Sequence, residues 1–397
     1  MIEKYLGFVV PLKVLGAILI FCLGSPLRAQ NQEQWIDCNG TMTTSDTKTV
    51  YSSFGEYLAK LGPIGTVHVN GYCREDVTIW GGDNFIVLGP AQVAGNISIG
   101  NSPDSVFLSK LTVTNSGGDG IDVNGSKLIL DSCNVSNNVG NGVSVDNASH
   151  VVVLGTGIFN NNEGWAGGFR VFGHSFLNVS PSGPVEIKGN TNSGIWASES
   201  DVQIGWKTLI SGNKTGPGVV LLGGTRAQFG GDLNTPSVIE NNPNGGILLR
   251  ENSEISLYGW IVRSNGQFGI SSGFHSQVTL ASAQVNENTG PGLSIESGSQ
   301  LDFYPGTPNR VYGNGTLSDP MSAGVRIDGN STAYLRGGTL STNLGPGIRV
   351  GLNSTADFAG VEFFANSSVI ACDLTSAIAT DLLVPLSTGC ITIRRNR

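Results

Sequence analysis

The chain contains 397 residues, of which 57 are glycine and only 13% are charged. This combination indicates many tight turns rather than a disordered, charged chain. The formal net charge is −8. Nucleic acid is therefore not an expected partner, because the chain has no excess of basic residues to neutralise phosphates.

Residues 1–29 have the pattern of a secretory signal peptide. Lys4 and Lys13 precede or border an apolar run over 14–23, and Ala29 ends a cleavage-site pattern. No later apolar run reaches the roughly 18 residues that a membrane-spanning helix needs. We therefore expect a secreted, periplasmic or cell-surface protein without a membrane span after signal removal, which leaves 19 basic and 29 acidic residues.

Residues 30–61 are predicted to form an amino-terminal cap with one short helix within 50–61. Four apolar residues share the i, i+3, i+4, i+7 spacing of an amphipathic helix: Phe54, Tyr57, Leu58 and Leu61. Ser53 and Glu56 have the spacing of a capping box. We expect this helix to cover the open end of the repeat structure that follows it.

A unit of about 24 residues recurs over 62–366, marked by a glycine before a short apolar alternation. The marking glycines are Gly120, Gly142, Gly168, Gly194, Gly218, Gly246, Gly269, Gly292, Gly324 and Gly347. Each unit holds three short alternations of period 2, which predict strands. Because so small a unit cannot bury an apolar face alone, we predict an all-β fold: a single-stranded parallel β-helix, or solenoid, of roughly 12 rungs, each rung being one turn of the coil.

Polar residues recur at the corners of the predicted rungs and are interpreted as structural ladders. The asparagines are Asn115, Asn137, Asn190, Asn213, Asn241, Asn265, Asn288 and Asn343. The hydroxyl residues are Ser126, Ser149, Ser175, Ser200, Thr225, Ser253, Ser276, Ser299, Ser331 and Ser354.

Five cysteines remain after signal removal, and export permits disulfides. Two pairs flank the predicted ends of the coil and are predicted to be bonded: Cys38–Cys73 and Cys372–Cys390. The second pair would close a carboxyl-terminal cap over 367–397. Cys133 occupies an apolar slot of the repeat and is predicted to be a buried free thiol.

The repeat, the helical cap, and Gly71-Tyr-Cys-Arg-Glu before Val77-Thr-Ile resemble exported proteins of the pectate-lyase-like superfamily. The resemblance implies a right-handed parallel β-helix. It implies no single activity, since the superfamily includes polysaccharide lyases, glycoside hydrolases, epimerases and surface proteins.

Residues 118–123, Gly-Asp-Gly-Ile-Asp-Val, are similar to the polygalacturonase motif Asn-Thr-Asp-Gly-Ile-Asp. That resemblance implies an Asp-Asp pair one rung later and a His-Gly pair on the next rung. Here these positions are Gly140-Asn141 and Ala166-Gly167. Asp119 is therefore interpreted as a turn residue, and no catalytic residue is predicted.

The histidines at 68, 150, 174 and 275 show no metal-ligand spacing. We predict no metal site and no cofactor, although a lyase of this superfamily would imply calcium.

One face of the predicted glycine-marked sheet carries the candidate binding residues. The residues two and four positions after each glycine are predicted to point outward. Six of them would form one strip: Asp122, Asp146, Arg170, Phe172, Trp196 and Arg250. Aromatic faces stack on sugar rings, and arginine forks bind carboxylates. The alternative is that this face is exposed to solvent and has no binding role, with Val220, Leu222 and Leu248 covered by the insertion after Gly223.

The sequence therefore predicts a non-catalytic protein that binds polysaccharide or a cell-surface glycan, or serves as a structural rod. A polysaccharide lyase or glycoside hydrolase acting on an acidic glycan is the alternative function. The absence of a paired acid and base favours the first class.

Overall fold

The structure is a computed structural model that describes residues 33–45, 47–102, 104–316, 319, 322–372, 377–380 and 391–394. The predicted signal peptide lies outside these residues. Within them the chain is a parallel β-coil of about 13 rungs, against the roughly twelve that the repeat predicts.

The glycine-marked strands form a parallel sheet, the first sheet, with thirteen strands among the described residues. In each strand the side chains alternate, so that Ile121 and Val123 are buried in the core while Asp122 between them points outward. The strands are Val77–Trp80, Ile97–Gly100, Ile121–Asn124, Val143–Asp146, Gly167–Val171, Ser193–Ser198, Val219–Leu222, Ile247–Leu249, Ile270–Ser272, Leu293–Ile295, Val325–Ile327, Pro346–Val350 and Ser368–Cys372.

Two further columns of strands complete each rung. The second stack contains Lys127–Asp131, His150–Leu154, Phe176–Val179, Asp201–Ile204, Arg226–Gly230, Glu254–Tyr258, Gln277–Ala281, Gln300–Phe303, Thr332–Arg336, Thr355–Ala359, Ala377–Thr380 and Ile391–Arg394. The third stack contains Asn134–Ser136, Gly157–Ile158, Val185–Lys188, Thr208–Ser211, Val238–Glu240, Ile261–Arg263, Gln284–Asn286, Arg310–Tyr312, Thr339–Ser341 and Glu362–Phe364. Near the amino end, three long strands run through both stacks: Ile64–Cys73, Asp83–Ala94 and Ser105–Thr114.

Parallel pairing extends into both segments expected to be caps. Glu33–Asp37 pairs with Lys48–Tyr51 and with the first long strand. At the other end, Ser368–Cys372 continues the first sheet, and Ile391–Arg394 pairs with the preceding strand of the second stack. The coil therefore includes residues on both sides of 62–366.

The predicted helix is present at Phe54–Leu61. Ser53 is its N-cap, and the Ser53 hydroxyl accepts a hydrogen bond from the Glu56 amide at 3.0 Å. The Tyr57 ring packs within 5.9 Å of Phe85 between ring centroids, so the helix lies against the end of the core as expected. The carboxylate of Glu75 accepts hydrogen bonds from the first helical amides, a second cap that the sequence did not indicate.

The cysteine predictions are confirmed where the structure describes them. Cys38 is bonded to Cys73, and Cys133 is a buried free thiol. Burial raises the pKa of the Cys133 thiol to about 11, which keeps it protonated and unreactive at neutral pH. Cys390 lies outside the described residues, so its pairing with Cys372 stays a prediction.

A column of buried asparagines runs along the inside of one corner of the coil. Each side-chain amide nitrogen donates to the amide oxygen of the asparagine one rung on, at 2.9 to 3.1 Å. This asparagine ladder consists of Asn138, Asn162, Asn190, Asn213, Asn242, Asn265, Asn288, Asn314, Asn343 and Asn366.

The predicted asparagine ladder is correct in kind and displaced by one residue at three positions. Asn137 and Asn241 adopt positive φ and form the bend, while the next residues, Asn138 and Asn242, turn inward. Asn115 also has positive φ, and the next residue, Ser116, takes the ladder position: its backbone amide donates to the side-chain oxygen of Asn138. Asparagine tolerates the left-handed region better than most residues, which explains its use at the bend.

The predicted serine ladder lies at another corner. Each buried hydroxyl accepts a hydrogen bond from a backbone amide of the preceding rung at 3.0 to 3.3 Å. The bonds run from Ser102 through Ser126, Ser149 and Ser175 to Ser200, and from Ser253 through Ser276, Ser299 and Ser331 to Ser354.

The sequence predicts no membrane-spanning segment after the signal peptide. Among the described residues, no helix has the length and apolar character needed to cross a bilayer.

Asn265→Ala is expected to destabilise the coil by about 2–4 kcal/mol, because it leaves several buried hydrogen-bonding groups of neighbouring rungs without a partner. The Asn265 amide donates to Ile239 and Asn288 and accepts from Asn242. Urea unfolding followed by circular dichroism measures the loss. Asn234→Ala, at an exposed loop asparagine, is the control and should unfold at the wild-type urea concentration; equal midpoints for both variants would contradict a structural role for the ladder.

Candidate functional site

The strand register places the predicted strip on the outer face of the first sheet. Ser144 pairs with Asp122 on one side and Arg170 on the other, and Arg170 pairs with Trp196. All of these side chains belong to the outward column of their strands. The predicted orientation is therefore correct for the part of the strip between Asp122 and Trp196.

Arg170 is the centre of this part of the face. Its guanidinium forms an ion pair with Asp146 at 3.2 Å and donates to the Ser144 hydroxyl at 3.0 Å. The guanidinium carbon also lies 5.1 Å from the centroid of the Phe172 ring, within cation–π range. The structure thus brings together three predicted residues, Asp146, Arg170 and Phe172.

Trp165 completes the site and is not among the residues predicted from the sequence. Its ring centroid lies 4.9 Å from that of Trp196 and 5.7 Å from that of Phe172, both in edge-to-face geometry. Arg170 lies 5.5 Å from the same ring. Trp165 is 51% exposed, whereas Trp196 is partly buried beneath it. The ring that solvent or a ligand meets is therefore Trp165; we call these residues, Trp165, Arg170, Phe172 and Trp196, the aromatic cluster.

Trp165 lies in the turn before the strand Gly167–Val171, not in a strand, so alternation of period 2 does not reach it. Asn192, on the next rung, donates a hydrogen bond to the Trp165 carbonyl and fixes the turn. The sequence feature that could have indicated Trp165 is its position as an isolated tryptophan in a polar turn segment, Asn-Asn-Glu-Gly-Trp.

A pair of carboxyl groups lies toward the amino end from Arg170. Burial raises the pKa of Asp122 to about 6; the nearby Asp119 adds to the rise, and a hydrogen bond from Asn96 opposes it. Asp119 accepts hydrogen bonds from the backbone and side chain of Asn141 on the next rung. Asp119 is therefore a turn residue that supports the neighbouring rung, as interpreted from the sequence, and it also acts on Asp122.

Trp80 lies at the amino end of the same face and was also missed. It pairs with Gly100, which pairs with Asn124, which pairs with Asp146. The Trp80 ring extends over Gly100, where an added Cβ would lie 2.3 Å from a ring carbon. Glycine at this position leaves room for the ring, and Trp80 is 65% exposed.

Arg250 does not join the aromatic cluster. Its guanidinium donates to the Leu249 carbonyl at 2.7 Å and to the Ser271 hydroxyl at 3.1 Å, toward the carboxyl end. Burial lowers the pKa of Arg250, and the carboxylate of Glu296 acts in the opposite direction. The predicted strip of six residues is thus two separate groups.

Apolar side chains at Val220 and Leu248 lie between the two groups, paired across neighbouring strands. The prediction that the insertion after Gly223 covers them is wrong. That insertion connects the second and third stacks after Arg226–Gly230, and Gly231 packs against Gly259. The loop is therefore located at a different corner of the coil.

Comparison with known proteins identifies the repeat. The family model described as "Right handed beta helix region" matches residues 184–363. The chain has the fold of a right-handed parallel β-helix. The pectate-lyase-like resemblance of the sequence is thereby supported as a fold.

Two solved structures are similar to this β-helix protein over 87% of its chain. A crystal structure of pectate lyase Pel9A has a TM-score of 0.33 and 11% identity, with 78% of that chain covered. The A-module of the mannuronan C-5 epimerase AlgE6 from Azotobacter vinelandii has a TM-score of 0.29 and 13% identity, with 95% covered. Neither similarity indicates an activity for this chain. A search of curated protein sequences gives no significant match.

Asp122→Asn is expected to stabilise the protein at pH 7.5 but not at pH 4. The folded pKa of about 6 exceeds the ordinary value of 3.8, so the folded state binds more protons between these values and loses stability as pH rises through them. The amide removes that loss, and we expect the Tm at pH 7.5 to rise by roughly 1–4 °C.

Thermal melts at both pH values measure this effect. Asp201→Asn, at an exposed aspartate, is the control and should leave the pH dependence of Tm unchanged. A Tm difference between Asp122→Asn and wild type that is the same at both pH values would show that the carboxyl group titrates normally.

Proposed function

We propose that this protein binds a polysaccharide along the outer face of the first sheet, from Trp80 to Trp165, without cleaving it. The observation that carries the proposal is the aromatic cluster, in which exposed Trp165 rests on Phe172 and Trp196. A large ring held by two others presents a rigid apolar plane, the surface on which the apolar face of a sugar stacks.

The face has the length of a polymer site rather than of a single-sugar pocket. Trp80 and Phe172 occupy positions four rungs apart in one column, which is roughly 19 Å at the strand spacing of a sheet. Between them lie Asp122, Asp146 and Arg170, whose polar atoms can bond sugar hydroxyls. A glycan lying along the coil would contact both aromatic ends and the polar middle.

The charge of the face favours a neutral glycan. The guanidinium of Arg170 is already paired with Asp146, and Asp119 and Asp122 add carboxyl groups nearby. A polyuronate would therefore meet more negative than positive charge. We accordingly expect neutral polysaccharides to bind more tightly than acidic ones, in contrast to the acidic glycan considered from the sequence.

Export is part of this proposal. The Cys38–Cys73 disulfide supports it, because stable disulfides form in oxidising compartments outside the cytosol. The signal-peptide pattern of residues 1–29 supports the same location.

Glycoside hydrolysis is the second candidate function, and one observation favours it. Asp122, with a pKa of about 6, would be partly protonated near neutral pH, and a protonated carboxyl beside a second carboxyl group is the equipment of an acid catalyst. Release of new reducing ends from a polysaccharide panel, lost in Asp122→Asn with binding retained, would establish this function. Binding without new reducing or unsaturated ends supports the non-catalytic function.

Trp165→Ala is expected to weaken polysaccharide binding by roughly 1–3 kcal/mol, the scale on which truncating a large aromatic side chain weakens a recognition surface. The coil should stay folded, since this exposed turn residue contributes little to the core. Affinity electrophoresis of the variant through gels containing soluble polysaccharides measures the change.

Trp206→Ala is the matched control for this test. Trp206 is also exposed, but it lies in the turn before Thr208–Ser211, on the third stack. It should bind like wild type. If Trp206→Ala weakened binding and Trp165→Ala did not, the proposed face would be the wrong one.

A further inference from the structure

A second group of exposed aromatic residues lies on the outer face of the second stack. Tyr258, Tyr304 and Tyr334 are all exposed, and Tyr304 is the most exposed of the three at 55%. They belong to nearby parts of the stack, around the strands Glu254–Tyr258, Gln300–Phe303 and Thr332–Arg336.

The register aligns these tyrosines along the coil. Tyr258 pairs with Ala281, and the Tyr304 amide donates to Leu280, which continues the same ladder one rung on. Tyr258 and Tyr304 are therefore two rungs apart, roughly 10 Å, with the small side chain of Ala281 between them. Tyr334 pairs with Asp302 in the neighbouring column.

A cavity of about 340 Å³ opens beside the rings of Tyr304 and Tyr334, and its other lining residues are Thr279, Asp302, Phe303, Pro305 and Arg336. Its charged groups already have partners. The Asp302 carboxylate accepts from Gln277 at 3.0 Å and from Gln300 at 2.7 Å, and Arg336 donates to Asp357 at 3.3 Å. The site thus combines aromatic planes with polar atoms: its arginine is ion-paired, and its carboxylate is held by two glutamine amides.

We propose that Tyr258, Tyr304 and Tyr334 form a second binding site for a neutral polysaccharide, separate from the site on the first sheet. Exposed aromatic planes spaced along an extended face, with hydroxyl, amide and carboxylate groups between them, match a neutral sugar chain rather than a charged ligand. Nucleic acid and acidic polymers do not fit, because the arginine in the cavity lining is paired with Asp357.

The two sites cannot be parts of one short groove. They lie on different faces of the coil, and the rung of Asp302 is five rungs from that of Arg170, roughly 24 Å along the axis. One molecule can therefore hold two separate glycan chains. The protein is then a cross-linker of polysaccharide, with an avidity that neither site has alone.

The test compares four proteins: wild type, Trp165→Ala, the double variant Tyr304→Ala/Tyr334→Ala, and the combination of all three changes. Each is assayed with soluble xylan, galactomannan and hydroxyethylcellulose for binding, by affinity electrophoresis, and for cross-linking, by turbidity. We expect Tyr304→Ala/Tyr334→Ala to retain binding through the first sheet but to lose turbidity. The combination should bind at least tenfold more weakly than Trp165→Ala alone.

Tyr304→Phe/Tyr334→Phe is the matched control, since it keeps the rings and removes only the hydroxyls; it should retain turbidity. Thermal melts identify any variant that has lost its fold. Wild-type binding and turbidity in Tyr304→Ala/Tyr334→Ala would overturn the second site, as would a wild-type protein that binds none of the three polymers. If Trp165→Ala binds normally and the tyrosine variant does not bind, the second site stands and the first-sheet site fails.

Discussion

The asparagine ladder is the interaction on which the rest of the structure depends. Each buried amide needs the amide one rung away, because an unsatisfied buried polar group costs about 1–3 kcal/mol. From Asn138 to Asn366 the spacing between neighbouring rungs must therefore stay constant at this corner, whatever the length of the loops. The rung containing Tyr304 carries a long insertion, yet Asn288, Asn314 and Asn343 remain bonded across it.

Because the spacing between rungs is constant, the sequence also predicts which side chains stack together on the outer face. Because side chains alternate along each strand, the position after each inward residue is outward, and stacking places Asp122, Ser144, Arg170 and Trp196 in one column. At the bends, the local sequence pattern does not predict which side chain points inward. Both asparagines of the pair Asn137-Asn138 suit a corner, and only the backbone geometry shows which one points inward.

The sequence could not indicate contacts that join different parts of the chain. Trp165 contacts Trp196 on the next rung. Glu75 caps a helix that begins 21 residues earlier. The separation of Arg250 from the cluster was equally hidden, because its guanidinium could turn toward either neighbouring rung, and it turns to Ser271.

The division between core and surface explains why this fold serves so many functions and why function must be argued from the surface. Inward side chains such as Ile121 and Val123, with the ladders, hold the coil together, so an outward residue can change at little cost in stability. The same rigidity suits a polymer ligand. A face whose side chains repeat at the spacing of the rungs is ordered before binding, so the extended glycan that we propose as ligand would meet Trp80, Arg170 and Trp165 without the entropic cost of arranging them.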